Sequence, residues 1–445
     1  VIFGLKMIEI FSIIFQLLVF IIIFSFPVNL FNKNLLFENH YLGISDCYCL
    51  NIIIHLNLLL ICSFLNIDQR LYFYILIVLS LFFNVFFIKK YLDYILSKKK
   101  ILVNFTFFIL ITIALFGDLA SHLKLEWDAL SHWVWKTTNF YENMGIENIK
   151  NLRFPYYPHL GPYVWSFFWK NSILEYEYFG RLFYVFLYIV SIFSIVNYFF
   201  RNSNLSKFII IFFIIILSFD RFLFSGYQGY LLFSILIIVS RFSFFLNKNF
   251  RYLLILIIIG HPLMWIKDEG LFYYFIFIFP FILMSPIDLR KKMFVLMLAL
   301  MLPIIQYYLQ KYYMGIFGFQ AEIINDSLKQ NLNLKILFSK IFLISKFMIV
   351  SIIKYKLWII NLLSFTIMFF FFKKININLK IFYVIAFINL SFLFAVYIHT
   401  PYDLKFLLTV TLDRLVFHSS GFYLPIVLIL LKKLLNTSYN SRSKT

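Results

Sequence analysis

Most of the signatures that would place this chain among soluble enzymes are missing. There is no Walker loop, no Gly-x-Gly-x-x-Gly and no His-Glu-x-x-His, so energy from nucleotide hydrolysis is not expected of this polypeptide. Cysteine is scarce. Cys47, Cys49 and Cys62 lie close together, but a Cys-x-Cys pair with no fourth ligand nearby does not make a tetrahedral metal site. They read as free thiols near an apolar span. With 13 glycines and 10 prolines in 445 residues, no Gly/Ser-rich or Pro-rich linker marks a domain boundary. Only 13% of residues are charged, and no polar stretch is long enough to fold as a soluble domain. Acid is the scarcer sign, with 20 Asp and Glu against 40 Lys and Arg.

What fills the chain instead is hydrocarbon. It is 62% hydrophobic and holds 62 phenylalanines. No soluble fold needs that much apolar surface. Crossing the bilayer core takes about 20 mostly apolar residues per helix. Backbone groups without water must pair internally, so helices or a closed barrel are required. The apolar runs are continuous rather than alternating, which selects helices. The first run, near 7–28, is followed by many others and reads as a span rather than a cleaved signal. The expected fold is all-α: a polytopic transmembrane helical bundle of about 13 spans with an external loop region after the fourth. Residues 1–100 form N-terminal transmembrane helices, and 101–445 form the region that carries the chemistry.

The net charge of +20 does not point to nucleic acid, because the basic residues sit in short loops between spans. Lys89 to Lys100, Arg201 with Lys207, Arg241 to Arg251, Arg290 to Lys292, Lys373 to Lys380 and Lys432 to Lys444 fall on one side in this count. That side is cytoplasmic by the positive-inside rule. The opposite face receives 118–177, 220–230, 266–270, 313–353 and 399–415. Residues 339–353 are apolar but carry Lys340 and Lys346, a poor span for the bilayer centre. They are expected as an amphipathic helix on the outer surface.

Residues 118–177 stand apart. They hold seven of the 20 acids, five of the 7 tryptophans and three of the 8 histidines, with a net charge of −2. Placing carboxylates, indoles and imidazoles beside spans is costly, which suggests a chemical site. Within it, Asp128, His132 and Lys136 are spaced one helical turn apart. That spacing puts a carboxylate, an imidazole and an ammonium on one face, able to accept a proton and hold a phosphate. An interfacial helix anchored by tryptophan explains the same residues without chemistry. Pro155-Tyr156-Tyr157-Pro158-His159 sets a rigid loop, whose rings suit a sugar face or simply stiffen re-entry into the next helix. Lys267-Asp268-Glu269-Gly270 places three ionisable groups in a very short loop, functional candidates or an acid-capped helix start. Tyr402-Asp403-Leu404-Lys405 leads to Asp413-Arg414. The Arg414 fork suits phosphate oxygens, in a ligand or in a lipid headgroup.

These patches, in this order, resemble bacterial polytopic membrane glycosyltransferases of the GT-C superfamily, the class of protein mannosyltransferases and aminoarabinose transferases. The matching residues are Trp127-Asp128-Ala129 with Trp133 and Lys136, Tyr157-Pro158, Lys267 with Glu269-Gly270, and Thr400-Pro401-Tyr402-Asp403-Leu404 with Asp413-Arg414-Leu415. The resemblance implies sugar transfer from a polyprenyl-phosphate donor to a glycan, lipid or protein acceptor. It places the reaction on the external face of the bacterial cytoplasmic membrane. By position Asp128 is the catalytic carboxylate, with Glu126 second. Lys136, Lys267 and Arg414 match the cations that hold donor phosphate. Trp133, His132, Tyr157, His159, Glu269, Tyr402 and Asp403 are left to contact substrate. Some members hold a divalent metal, Mg or Mn; the nearest acidic pairing here is Glu126-Trp127-Asp128, and no cofactor is assigned. The rival readings are a lipid-linked sugar transporter or flippase, an O-antigen ligase or polymerase, and a non-catalytic membrane subunit.

Overall fold

The computed structural model describes residues 7–27, 42–96, 99–201, 203–220, 224–244, 250–314, 334–371, 377–400 and 402–442. Of the positions named above, Lys98, Lys248, Lys373, Lys374, Pro401 and Lys444, and residues 315–333 of the expected external stretch, lie outside them. Every regular element among the described residues is helical. Seven helices are long and apolar enough to cross a membrane, and the chain is a helical membrane protein.

The expectation of about 13 spans gives way to a more uneven set. Several apolar runs form helices of only 15 or 16 residues, among them Asn204–Ser218, Gly229–Ser243 and Arg251–Ile266. At 1.5 Å per residue these cover about 24 Å or less, short of a core of about 30 Å. At the other extreme, the last expected loop and the last expected span belong to a single helical run, Leu404–Leu435. Leu334–Lys354 also departs from the reading above: instead of a surface helix it forms 21 residues long and apolar enough to cross. Lys340 is half-buried on this helix. Its Nζ donates to the carbonyl of Ile398, 2.9 Å away at the end of the Ile377–Ile398 helix, satisfying an acceptor that a helix terminus leaves unpaired. A crossing here inverts the sidedness read for everything downstream, Arg414 included.

The chain divides into two compact units. The first comprises Val1–Phe212, Asp220–Ser234 and Trp265–Lys267. Its centre is the Glu177–Phe199 helix, apolar on all sides and almost wholly buried. The helices Ile44–Phe64, Lys99–Ser121 and Leu160–Lys170 pack around it. Lipid tails are as apolar as phenylalanine, so packing rather than water exclusion holds such helices together. Phe20 supplies much of it, edge-on to Phe168 at 4.9 Å and against Phe186 at 5.2 Å. The short Leu160–Lys170 helix approaches closely because residue 180 has no side chain: a Cβ on Gly180 would lie 2.2 Å from the Trp165 carbonyl.

One buried cation ties two loops of this unit to a helix. Arg181 is fully buried and forms a two-pronged pair with Glu177, both contacts 2.8 Å. Its remaining donors reach the carbonyls of Phe224 and Leu123, each at 3.2 Å. The four-residue spacing places both partners on one helix face, and the fork ties two irregular segments to the first turn of the central helix.

The second unit comprises Phe213–Phe219, Ile235–Met264 and Asp268–Thr445. Here Asp268–Met284 packs on Ile377–Ile398, and Lys356–Phe371 on Leu424–Arg442. Phe422 is its aromatic hub, 4.4 Å from Phe277 and 4.8 Å from Phe382.

Candidate functional site

The candidate site of the first unit begins where Lys99–Ser121 ends. Five irregular residues follow, and the chain turns helical again at Trp127. The Glu126 amide donates to the Ser225 carbonyl at 3.2 Å, pinning the start of this run. Gly226 makes the approach feasible: it sits at φ +96°, and a Cβ there would lie 2.5 Å from that of Ala129. Glu126 pairs at 3.1 Å with Lys124, whose side chain is mostly exposed, a contact worth about 0–1 kcal/mol.

Residues Ala129–Trp133 form a π turn rather than the α-helical turn expected from the spacing. Such insertions recur at functional sites. Despite the wider turn, Asp128 and His132 stay together: His132 Nδ1 is 3.8 Å from Asp128 Oδ1, and both side chains are buried. Nδ1 also pairs with the Ser131 hydroxyl. Aromatic rings enclose the imidazole. Phe154 stacks on it at 4.3 Å, with Tyr157 edge-on at 5.0 Å and Trp127 at 5.4 Å.

Lys136 is fully buried. Its Nζ donates to the Tyr157 carbonyl and, at 3.4 Å, to that of Pro155. The loop that supplies these acceptors contains Phe154 at φ +54°, a left-handed conformation that costs a non-glycine residue about 1–3 kcal/mol. Lys136 on one side and the His132 stack on the other hold it there. Trp133, also buried, lies 5.4 Å from the Tyr157 ring.

His159 follows directly. Its Nε2 lies 2.8 Å from the Ser63 hydroxyl, which itself donates to the Leu60 carbonyl at 2.6 Å. With that proton committed, Nε2 must be the donor and Nδ1 carries a bare lone pair. Burial, and then the nearby Lys136 ammonium, push the imidazole down to about 3, so it stays neutral. Trp265 packs 5.7 Å from His159, bringing the chain that carries buried Lys267 into the same unit. Three buried nitrogens here have no partner among the described residues: Trp133 Nε1, His159 Nδ1 and Gln228 Nε2. An unfilled buried polar group costs about 1–3 kcal/mol; the Trp133 and Gln228 nitrogens suit an oxygen acceptor, and the bare His159 nitrogen suits a hydroxyl donor.

The remaining sequence candidates belong to the second unit. Glu269 stands with Asp268 in the first turn of Asp268–Met284, where acids complement the positive helix end. Asp403 caps the next helical run by accepting from the Phe406 amide at 2.7 Å, and Tyr402 is exposed. Arg414 is buried just after a second π turn, Leu408–Leu412. Its neighbour Asp413 pairs with Lys354 and accepts from Ser351 at 2.6 Å.

Ser63, Phe154, Arg181 and Trp265 escaped the sequence reading. Only Arg181 left a signal there, an acid four residues earlier at the start of a span. Among the described residues, no three His, Cys, Asp or Glu side chains gather as metal ligands. No protein-family model, no curated protein and no solved structure matches this chain significantly.

Proposed function

We propose that this chain is a GT-C-like membrane glycosyltransferase acting on a polyprenyl-phosphate sugar at the external face of the bacterial cytoplasmic membrane. One observation carries the reading. A buried carboxylate–imidazole pair, Asp128 with His132, sits directly beyond an apolar helix, beside a buried cation and an aromatic wall. A lipid-linked donor keeps its phosphate at headgroup depth, where such a site is needed.

Asp128 takes the proton from the acceptor hydroxyl. The acceptor oxygen bonds to the anomeric carbon as the bond from that carbon to the phosphate oxygen breaks. The electron pair leaves with the lipid phosphate, and Lys136 and Lys267 stabilise the charge. His132 orients Asp128, and Tyr157 and Trp133 face the sugar. Glu126, already paired with Lys124, is the weaker base.

The test is turnover. Purified protein is incubated with a panel of polyprenyl-phosphate sugars, and donor consumption is scored for wild type and Asp128→Asn. Consumption by wild type and its loss in the variant are expected. Full turnover in the variant removes Asp128 from the centre.

A lipid-linked sugar flippase is the second reading. It is favoured by the short helices Arg251–Ile266 and Asp268–Met284, each with an internal proline and with buried Lys267 at their junction, since broken helices line transporter pathways. Donor that changes leaflet in proteoliposomes without being consumed selects it.

A further inference from the structure

The helical run 127–141 has two unlike sides. Asp128, His132, Lys136 and Phe140 are buried. The other side shows Trp127, Leu130 and Trp135 at 61%, 52% and 55% exposure. Trp127, Leu130, Val134 and Thr138 follow the helical repeat, with Val134 and Thr138 half-buried and Trp135 beside them. Two indoles and a leucine presented outward are costly in water.

The run cannot be a span itself, because it carries Asp128 and Lys136 on its inner side and is only about three to four turns long. It is nevertheless tethered to one. The preceding helix, Ile101–Ser121, is long and apolar enough to cross, and Leu102, Val103 and Leu110 stand exposed on it, a side that lipid would cover. Only five irregular residues separate its end from Trp127. Within them Leu123 is also exposed, and the side chain of Lys124 is 80% exposed, suited to phosphate headgroups. The outward indoles therefore lie a few residues beyond the end of a crossing helix, at the depth where tryptophan is enriched.

We infer that Trp127, Leu130 and Trp135 seat this helix in the headgroup–acyl boundary of the bilayer, and so set the depth at which Asp128 and His132 work. Trp127 couples the two sides directly: its ring is partly lipid-facing and also lies 5.4 Å from the His132 ring. A helix seated in this way requires no sugar chemistry beneath it.

The experiment uses the full chain in nanodiscs. Tryptophan emission is compared for wild type, Trp127→Phe, Trp135→Phe and the double variant. Each is measured with phospholipids brominated near the glycerol end of the acyl chain, and separately with aqueous iodide. The emission lost in the variants belongs to these two indoles. The expected result is that bromolipid quenches this component and iodide leaves it largely intact. Iodide quenching without bromolipid quenching would place the face in water and overturn the inference. Insensitivity to both quenchers would mean that protein, such as a second copy of the chain, covers it, and would overturn the inference equally. Phenylalanine at an outward position preserves the fold, and the single variants guard against failure of the double one.

Discussion

Residues 127–159 and 402–414 carry the same ingredients and spend them differently. Each has a π turn, acids nearby and one buried cation. In the later stretch the acids serve the fold: Asp403 closes a helix start, and Asp413 is held by Ser351 and Lys354. In the earlier one Asp128 faces an imidazole at 3.8 Å, and aromatic rings enclose that imidazole. An acid in a motif is informative only once its neighbours show whether the fold has already used it.

The comparison breaks most sharply at Asp128. Asp128→Asn should lower donor consumption by about 10²–10⁴-fold, the usual worth of a general base, while Asp403→Asn keeps it near wild type. Equal losses would erase the distinction between the two stretches.

Stability provides the next contrasts. Arg181→Met removes the clamp and leaves Glu177 without its partner, costing about 3–5 kcal/mol. Thermal unfolding in detergent should show a large drop, smaller when Glu177→Gln accompanies it. Asp413→Asn should cost about 1–3 kcal/mol, read the same way. Asp403→Ala, a lost helix cap, should cost about 1 kcal/mol and leave donor turnover intact.

Acid gives a subtler test. The unfolded chain protonates His159 near its ordinary 6.5, whereas the folded protein holds it down to about 3. Between these values the unfolded state binds the extra proton, so stability falls as pH drops from 6.5 toward 3 and is unaffected above. His159→Gln should flatten that part of the stability–pH curve. An unchanged slope would mean that the buried imidazole accepts a proton in place.

The helical membrane character was legible because long apolar runs reveal it, but the number of spans was not, with seven qualifying helices among the described residues against about 13 expected. The closeness of Asp128 and His132 was legible too, since it needs only one helical turn. The π turn was not, since no residue type in Ala129–Trp133 specifies it. That Leu334–Lys354 is long and apolar enough to cross was not foreseen, because Lys340 looks like a water-seeking charge and its acceptor, the Ile398 carbonyl, is 58 residues away. The partner of His159 was equally hidden, with Ser63 lying 96 residues earlier. Nor does any local rule foresee a phenylalanine at positive φ ahead of a proline. Contacts inside a helical turn are written in the sequence, and those between distant helices are not.

The grip of Lys136 on two peptide oxygens gives the loop at 155–157 a second character. An anion reaching that ammonium must outbid the Tyr157 and Pro155 carbonyls, so ligand capture and loop release become one event. The lysine then acts as a latch whose key is negative charge. Amide hydrogen exchange at 156–159 should quicken when a polyprenyl phosphate is added, and should already be fast in Lys136→Met without it.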